Sequence, residues 1–207
     1  EACADPRVNP LDARGKVHSI LLTLLSPEGV PVESFTAFEE KPDGSIETHY
    51  GWDSNMRIPA TSWPMDLIVE APGYLRAHLS KVASDQTVTL RRGPRVRVQI
   101  LNPGAIPACF ELQVSLRPAA DENRNLWSSA MASMDAGGTV EVNAPEVGTH
   151  FIQATLMLAT NGMTRGVGIR SDGQRVEIAD AAGVQTFSIT LDEGSLEQSA
   201  QYLRGNG

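Results

Sequence analysis

Short apolar segments in which every second residue is polar recur along the chain. Val96, Val98 and Ile100 alternate with arginine and glutamine, and residues 110–116 repeat the pattern. Side chains two apart on a strand share a face, so each segment predicts a strand with one buried side. Proline-glycine turns such as residues 26–29 separate the segments. Many short strands with regular turns predict an all-β fold of sandwich type.

Helical patterns are scarce. Residues 195–203 have the best helical composition, and Ser195 is the predicted cap of a short helix. A helix of this length is marginal unless it packs on something. Residues 127–134 could form two helical turns, as an alternative to a strand at residues 131–134.

The two halves of the chain repeat the same order of features. Residues 17–32 and 96–107 each contain an apolar strand, a proline-glycine turn, an apolar residue and a proline. Both halves later place Ala-Pro before a glycine that opens a strand. Such a repeat predicts a duplicated module. The predicted parts are a leader at 1–14, sandwich domains at 15–92 and 93–194, and a tail at 195–207.

One motif set resembles a known family. The chain contains P-x-G-x-P-V after the first strand, then A-P-G-Y and a closing T-V-T-L. These features resemble the carboxypeptidase regulatory-like domains. The residues that carry the resemblance are Gly29, Pro31, Val32, Ala71, Pro72, Gly73 and Tyr74.

The resemblance implies two tandem transthyretin-like, Greek-key β-sandwiches. It further implies a non-catalytic accessory module of a secreted, periplasmic or cell-envelope protein, acting as a spacer or protein-interaction unit. A strand edge is the expected place for β-addition of a partner. Gly29 suits a turn that needs positive φ, and Pro72 ends a strand because it cannot donate to a ladder. We expect the Tyr74 ring to enter the core.

Charge and hydropathy exclude two classes of partner. The net charge of −8 disfavours nucleic-acid binding, which needs clustered lysine and arginine. No apolar run approaches the ~20 residues of a membrane-spanning helix, so we expect no membrane insertion. The one basic run, at residues 91–97, is interpreted as a solvent face partly neutralised by acidic residues.

Aromatic residues mark the best candidate site. Tyr50, Trp52, Asp53 and Trp63 are predicted to form a ligand or partner surface. The expected partner is a protein. The alternative is a carbohydrate, because sugar rings stack on aromatic rings while hydroxyls bind polar groups. Burial of both tryptophans in the core is the competing interpretation.

Other polar groups are weaker candidates. Glu47, His49 and Asp53 could form a metal site or a general base, and a solvated strand end is the alternative. Asp121 begins a calcium-like D-x-N-x-N segment, but Leu126 stands where the loop needs glycine. We predict no metal, no cofactor and no catalysis, with an enzyme of dispersed active site as the remaining alternative.

The two cysteines, Cys3 and Cys109, are far apart in sequence and form no disulfide framework. We expect Cys109 to be a buried small apolar residue, and Cys3 lies in the leader. Whether the two pair is left open.

Overall fold

The chain is an all-β protein of sandwich type. The computed structural model describes residues 19–59, 63–121, 130–160, 163–169 and 175–205, and the predicted leader lies outside them. Strands form several sheets, and the described residues contain a single α-helix. The chain divides into two compact units, Glu1–Val69 with His78–Thr89 and Glu70–Ala77 with Leu90–Gly207. The domain bounds inferred from the sequence stay a prediction.

The first unit contains two sheets. A three-stranded sheet has the order β4-β1-β7 and a four-stranded sheet the order β3-β2-β5-β6. The strands are β1 (Ser19–Leu25), β2 (Phe35–Glu40), β3 (Ile46–Gly51), β4 (Asn55–Pro59), β5 (Met65–Glu70), β6 (Ala77–Val82) and β7 (Gln86–Thr89).

Strand β1 shows why this sequence forms a sandwich. Ile20, Leu22 and Leu24 are fully buried, and the residues between them are partly exposed. Strand β4 pairs antiparallel to β1 and β7 pairs parallel to it. A central strand with neighbours on both sides has its ladder satisfied and needs only one apolar face. The sequence predicted a strand from Val32, but β2 begins three residues later, at Phe35. An isolated bridge between Leu25 and Pro31 precedes it.

The second unit repeats the arrangement. Its sheets have the orders β11-β8-β15 and β10-β9-β12-β13, and β14 also pairs with β12. The strands are β8 (Arg95–Ile100), β9 (Glu111–Pro118), β10 (Met131–Ser133), β11 (Thr139–Asn143), β12 (Gly148–Thr160), β13 (Met163–Ile169), β14 (Arg175–Ile178) and β15 (Gln185–Ile189).

The connectivity of the two units is the same. In each, the first strand lies between the fourth, antiparallel, and the last, parallel. In each, the second sheet follows the order third, second, fifth, sixth, and β14 is an addition in the second unit.

The core of the second unit draws on both sheets and on helix α1 (Glu193–Gly205). Strands β8 and β9 contribute their alternate apolar residues, and the helix contributes Leu196, Ala200 and Leu203. This packing satisfies the condition under which so short a helix is stable.

Two local predictions are wrong. The helix cap is Asp192, whose Oδ1 accepts the Ser195 backbone N–H at 2.6 Å, so Ser195 occupies the third helical position. Cys109 is exposed, with a φ of 75° in the turn before β9. A turn at a strand entrance exposes its side chains, so the apolar run that begins at Cys109 did not imply burial of its first residue. Cys3 lies outside the described residues.

We predict that Asp192→Ala lowers the free energy of unfolding by about 1 kcal/mol, because it removes the side-chain acceptor at the helix start. Urea unfolding followed by circular dichroism measures this. Asp192→Asn is the matched control, since it keeps an oxygen acceptor, and it should stay close to the wild type. Equal losses in both variants would contradict the capping role.

Candidate binding surface and buried polar clusters

Edge strand β3 leads into an exposed aromatic pair. Tyr50 is 66% exposed, and Trp52, in the turn directly after β3, is 80% exposed. Adjacent exposed aromatic side chains are a recurrent feature of surfaces that bind partners. The interpretation that both tryptophans fill the core is therefore wrong for Trp52.

The turn that carries Trp52 and the exposed Asp53 is tied to β1. The Ser54 carbonyl accepts the Leu24 backbone N–H at 3.2 Å. The Thr23 hydroxyl donates to Asn55 Oδ1 at 2.6 Å. These bonds hold the backbone beside Trp52 against the central strand, so the indole projects from an ordered turn.

Trp63 follows strand β4 in the sequence, whereas Trp52 comes before it. Trp63 is 37% exposed and precedes β5. A five-residue strand such as β4 spans about 17 Å, so its ends lie at different ends of the sheet. A platform shared by Trp52 and Trp63 stays a prediction. Tyr50 and Trp52, in contrast, both lie at the end of strand β3.

The inner face of the β2–β3 hairpin carries a polar group. Glu39 lies directly opposite Glu47, and His49 lies opposite Ala37. Glu39 is fully buried, and its Oε2 lies 3.4 Å from His49 Nε2. Single ligand atoms of Glu39, Glu47 and His49 all lie within 4.8 Å of one another.

Asp53 was predicted to join Glu47 and His49, but it is not a member of this group. Glu39 takes its place from the neighbouring strand. The sequence offered one signal for Glu39. It lies two residues after Ala37, so the two side chains share a face if the strand continues to Glu39. The pairing register that sets Glu39 opposite Glu47 was not visible in the sequence.

Lys41 forms an ion pair with Glu47 at the exposed end of the group. Its Nζ lies 2.7 Å from Glu47 Oε2. The hydrogen bond from Lys41 lowers the pKa of Glu47, and the same bond raises the pKa of Lys41. Both groups are therefore charged at neutral pH.

A second polar cluster is buried in the second unit. The Arg76 guanidinium donates through Nε to Glu70 at 2.7 Å and through Nη1 to Asp121 at 2.5 Å and Glu146 at 3.0 Å. Side chains of Arg76, Glu70 and Asp121 are at most 2% exposed. Burial alone would lower the pKa of Arg76, but the two buried carboxylates outweigh it and raise the pKa.

The first residue of the calcium-like segment belongs to this cluster. Asp121 is used as a partner of Arg76, and Asn123 and Asn125 lie outside the described residues. A buried carboxylate paired with a guanidinium serves the fold.

His150 lies in the same electrostatic environment. It is fully buried, and its Nδ1 donates to the Gly148 carbonyl at 3.0 Å. Burial lowers the pKa of His150, and Arg76 adds to the effect. The Gly148 carbonyl, Glu146 and Asp121 act in the opposite direction but do not reverse it.

The motif residues form turns as expected, except at the tyrosine. Gly29 and Gly73 have φ values of 79° and 88°, the left-handed region that glycine tolerates. Tyr74 is only half-buried, and the Arg92 guanidinium lies 4.8 Å from its ring centre. The ring thus stacks on an arginine and does not enter the core.

The basic run behaves as a solvent face. Arg91 pairs with Asp180 at 3.1 Å and Arg97 pairs with Glu141, all on exposed side chains. Acidic neighbours neutralise part of this run, as its sequence predicted.

Comparisons with known proteins show likeness only at the level of structure. No family model matches the chain, and no curated protein matches it. Helix α1, which is the sole α-helix of the described residues, falls short of the length and apolar character needed to span a membrane.

Several solved structures resemble the chain weakly. The Bacillus anthracis TIE protein is 10% identical with a TM-score of 0.28, over 84% of this chain and 34% of that one. BcpA, the major pilin subunit of Bacillus cereus, is 8% identical with a TM-score of 0.31, over 85% and 69%. Shaft pilin SpaA from Lactobacillus rhamnosus GG is 9% identical with a TM-score of 0.23, over 84% and 98%.

The chain spans about a third of the TIE protein and a quarter of a leucine-rich repeat protein from Bacteroides thetaiotaomicron. Similarity at this level identifies no family, and the carboxypeptidase regulatory-like assignment is not confirmed.

We predict that Arg76→Met lowers the free energy of unfolding by about 3–5 kcal/mol, because Glu70 and Asp121 then remain buried without their counter-charge. Chemical denaturation at neutral pH measures the loss. Arg91→Met is the control, since its exposed ion pair is worth about 0–1 kcal/mol. Similar small effects in both variants would refute the structural role of the cluster.

We predict that stability falls on mild acidification and that His150 contributes to this. Because the folded-state pKa of His150 is lowered, the unfolded chain takes up a proton first, near about pH 6.5. The contribution is complete above that pH and is lost as the pH falls towards the folded-state pKa. His150→Gln should flatten the slope of unfolding free energy between about pH 7 and 5 by up to one proton. Urea denaturation at each pH gives the slope, and equal slopes in the wild type and His150→Gln would contradict the prediction.

Proposed function

We propose that this chain is a non-catalytic accessory module of an extracytoplasmic protein and that it binds a partner protein through the end of strand β3. The surface consists of Tyr50, Trp52 and Asp53, and we name it the β3 surface.

The observation that carries the proposal is the exposure of Trp52 on an anchored turn beside an exposed tyrosine. Tryptophan and tyrosine are enriched among the residues that dominate binding energy at protein interfaces. A turn already held to β1 loses little conformational freedom on binding, which favours affinity. Strand β3 is also a sheet edge, where a partner strand can add.

A tandem-repeat origin of the module supports the accessory role. The two units share the same strand connectivity, and the sequence repeats the same turns in the same order. We propose that they are copies of one domain related to the carboxypeptidase regulatory-like sandwiches. That relation is the basis for the secreted, periplasmic or cell-envelope location and for the spacer role.

Carbohydrate binding is the second candidate function. Tyr50 and Trp52 are two residues apart, about 7 Å along a strand, and could stack on neighbouring sugar rings. The adjacent Asp53 carboxylate offers an acceptor for sugar hydroxyls.

We predict that Trp52→Ala and Tyr50→Ala each weaken binding of peptides selected against the chain by about 30-fold, which corresponds to about 2 kcal/mol. The selection uses a displayed peptide library with the whole chain as bait. Affinities are measured by tryptophan fluorescence or calorimetry, and circular dichroism confirms that each variant is folded.

Val30→Ala is the matched control, because Val30 is another exposed apolar residue of the first unit. It should leave the affinity unchanged. Peptides that bind Trp52→Ala and Tyr50→Ala as well as the wild type would sink the proposal. A glycan array whose positive spots vanish with Trp52→Ala would instead favour the carbohydrate function. Unfolding of Trp63→Ala would show that Trp63 serves the fold and lies outside the surface.

A further inference from the structure

We infer that Glu39, Glu47 and His49 form a binding site for a divalent first-row transition-metal ion, with Zn²⁺ as the best-suited cation. The site lies on the inner face of the β2–β3 hairpin. This metal site is separate from the proposed partner binding and does not depend on it.

The donor spacing supports the inference. Two ligands at about 2.1 Å from a tetrahedral metal lie about 3.4 Å apart. Glu39 Oε2 and His49 Nε2 are 3.4 Å apart, which is longer than the 2.7–3.2 Å of an N–H···O hydrogen bond. The pair therefore has the separation of two metal ligands. A ligand atom of Glu47 lies within 4.8 Å of both.

The backbone fixes this arrangement. Glu47 and His49 are two residues apart on β3 and share its inner face, and the register sets Glu39 opposite Glu47. Like charges directly opposite each other destabilise a strand pair. Glu39 and Glu47 are such an acidic pair, and a cation bound by both side chains would favour their close approach.

The donor set selects the kind of metal. Calcium and magnesium take oxygen ligands, whereas an imidazole nitrogen with two carboxylates suits zinc and its neighbours. Glu39 is fully buried, but side chains of His49 and Glu47 are 12% and 37% exposed. Water can therefore reach the fourth coordination position from the hairpin edge.

The ion would clamp the edge strand. Two ligands come from β3 and one from β2, so binding joins the two strands by side-chain contacts in addition to their ladder. Any ligand that binds only the folded state stabilises it by mass action.

The test uses the whole chain, stripped with EDTA and desalted, and titrated with ZnCl₂ by calorimetry. We expect one tight site and a rise in Tm with Zn²⁺. His49→Ala should weaken Zn²⁺ binding by about a hundredfold or more, since losses of about 10–100-fold already follow removal of groups that only orient ligands. Lys41→Met should bind more tightly, because Lys41 competes with the cation for Glu47.

His78→Ala is the control for adventitious binding, because His78 is an exposed histidine of the same unit. Its affinity should equal that of the wild type. Glu39→Gln removes a ligand charge with little change of shape, and Co²⁺ absorption of the wild type provides a readout that needs no variant. No tight Zn²⁺ site, or equal affinity in His49→Ala and the wild type, overturns the inference. A Co²⁺ spectrum of the octahedral aqua ion also overturns it.

Discussion

Burial of one face of a central strand is the constraint on which each unit depends. Strands β1 and β8 lie between two hydrogen-bonded neighbours, and their alternate residues are buried, such as Leu22 and Val98. Water can be excluded from those faces only if a second apolar layer covers them, and this requirement accounts for the second sheet. The opposite face of β8 is polar, which places charged pairs such as Arg97–Glu141 in solvent.

The polar groups of the chain follow from this layering. Where a carboxylate occupies an inner position, it needs a partner at short range, since isolated buried charge is costly. In the second unit Arg76 serves Glu70 and Asp121 at once. In the first unit Glu39 has His49 beside it, with 3.4 Å between Oε2 and Nε2.

The β3 hairpin combines two different surfaces on one strand. Its inner residues, Glu47 and His49, converge on Glu39, while Tyr50 and the following Trp52 face solvent. Alternation of side chains allows a single edge strand to carry a polar internal group and an aromatic external surface. A cation on the inner side would stabilise the strand that leads to the aromatic turn. A metal site on one face and a partner-binding surface on the other are therefore physically compatible.

Alternation and proline-glycine turns by themselves determined the all-β class and the approximate positions of the strands, and helix-favouring composition indicated the terminal helix. These features depend on neighbours in sequence. Only the tertiary structure decided which groups meet. Glu39 joins His49 through the β2–β3 register, and Arg76 reaches Asp121 across 45 positions of sequence. The same holds for exposure. Trp52 was ambiguous and Cys109 was wrongly predicted to be buried, because burial of a turn residue depends on what the rest of the chain places over it.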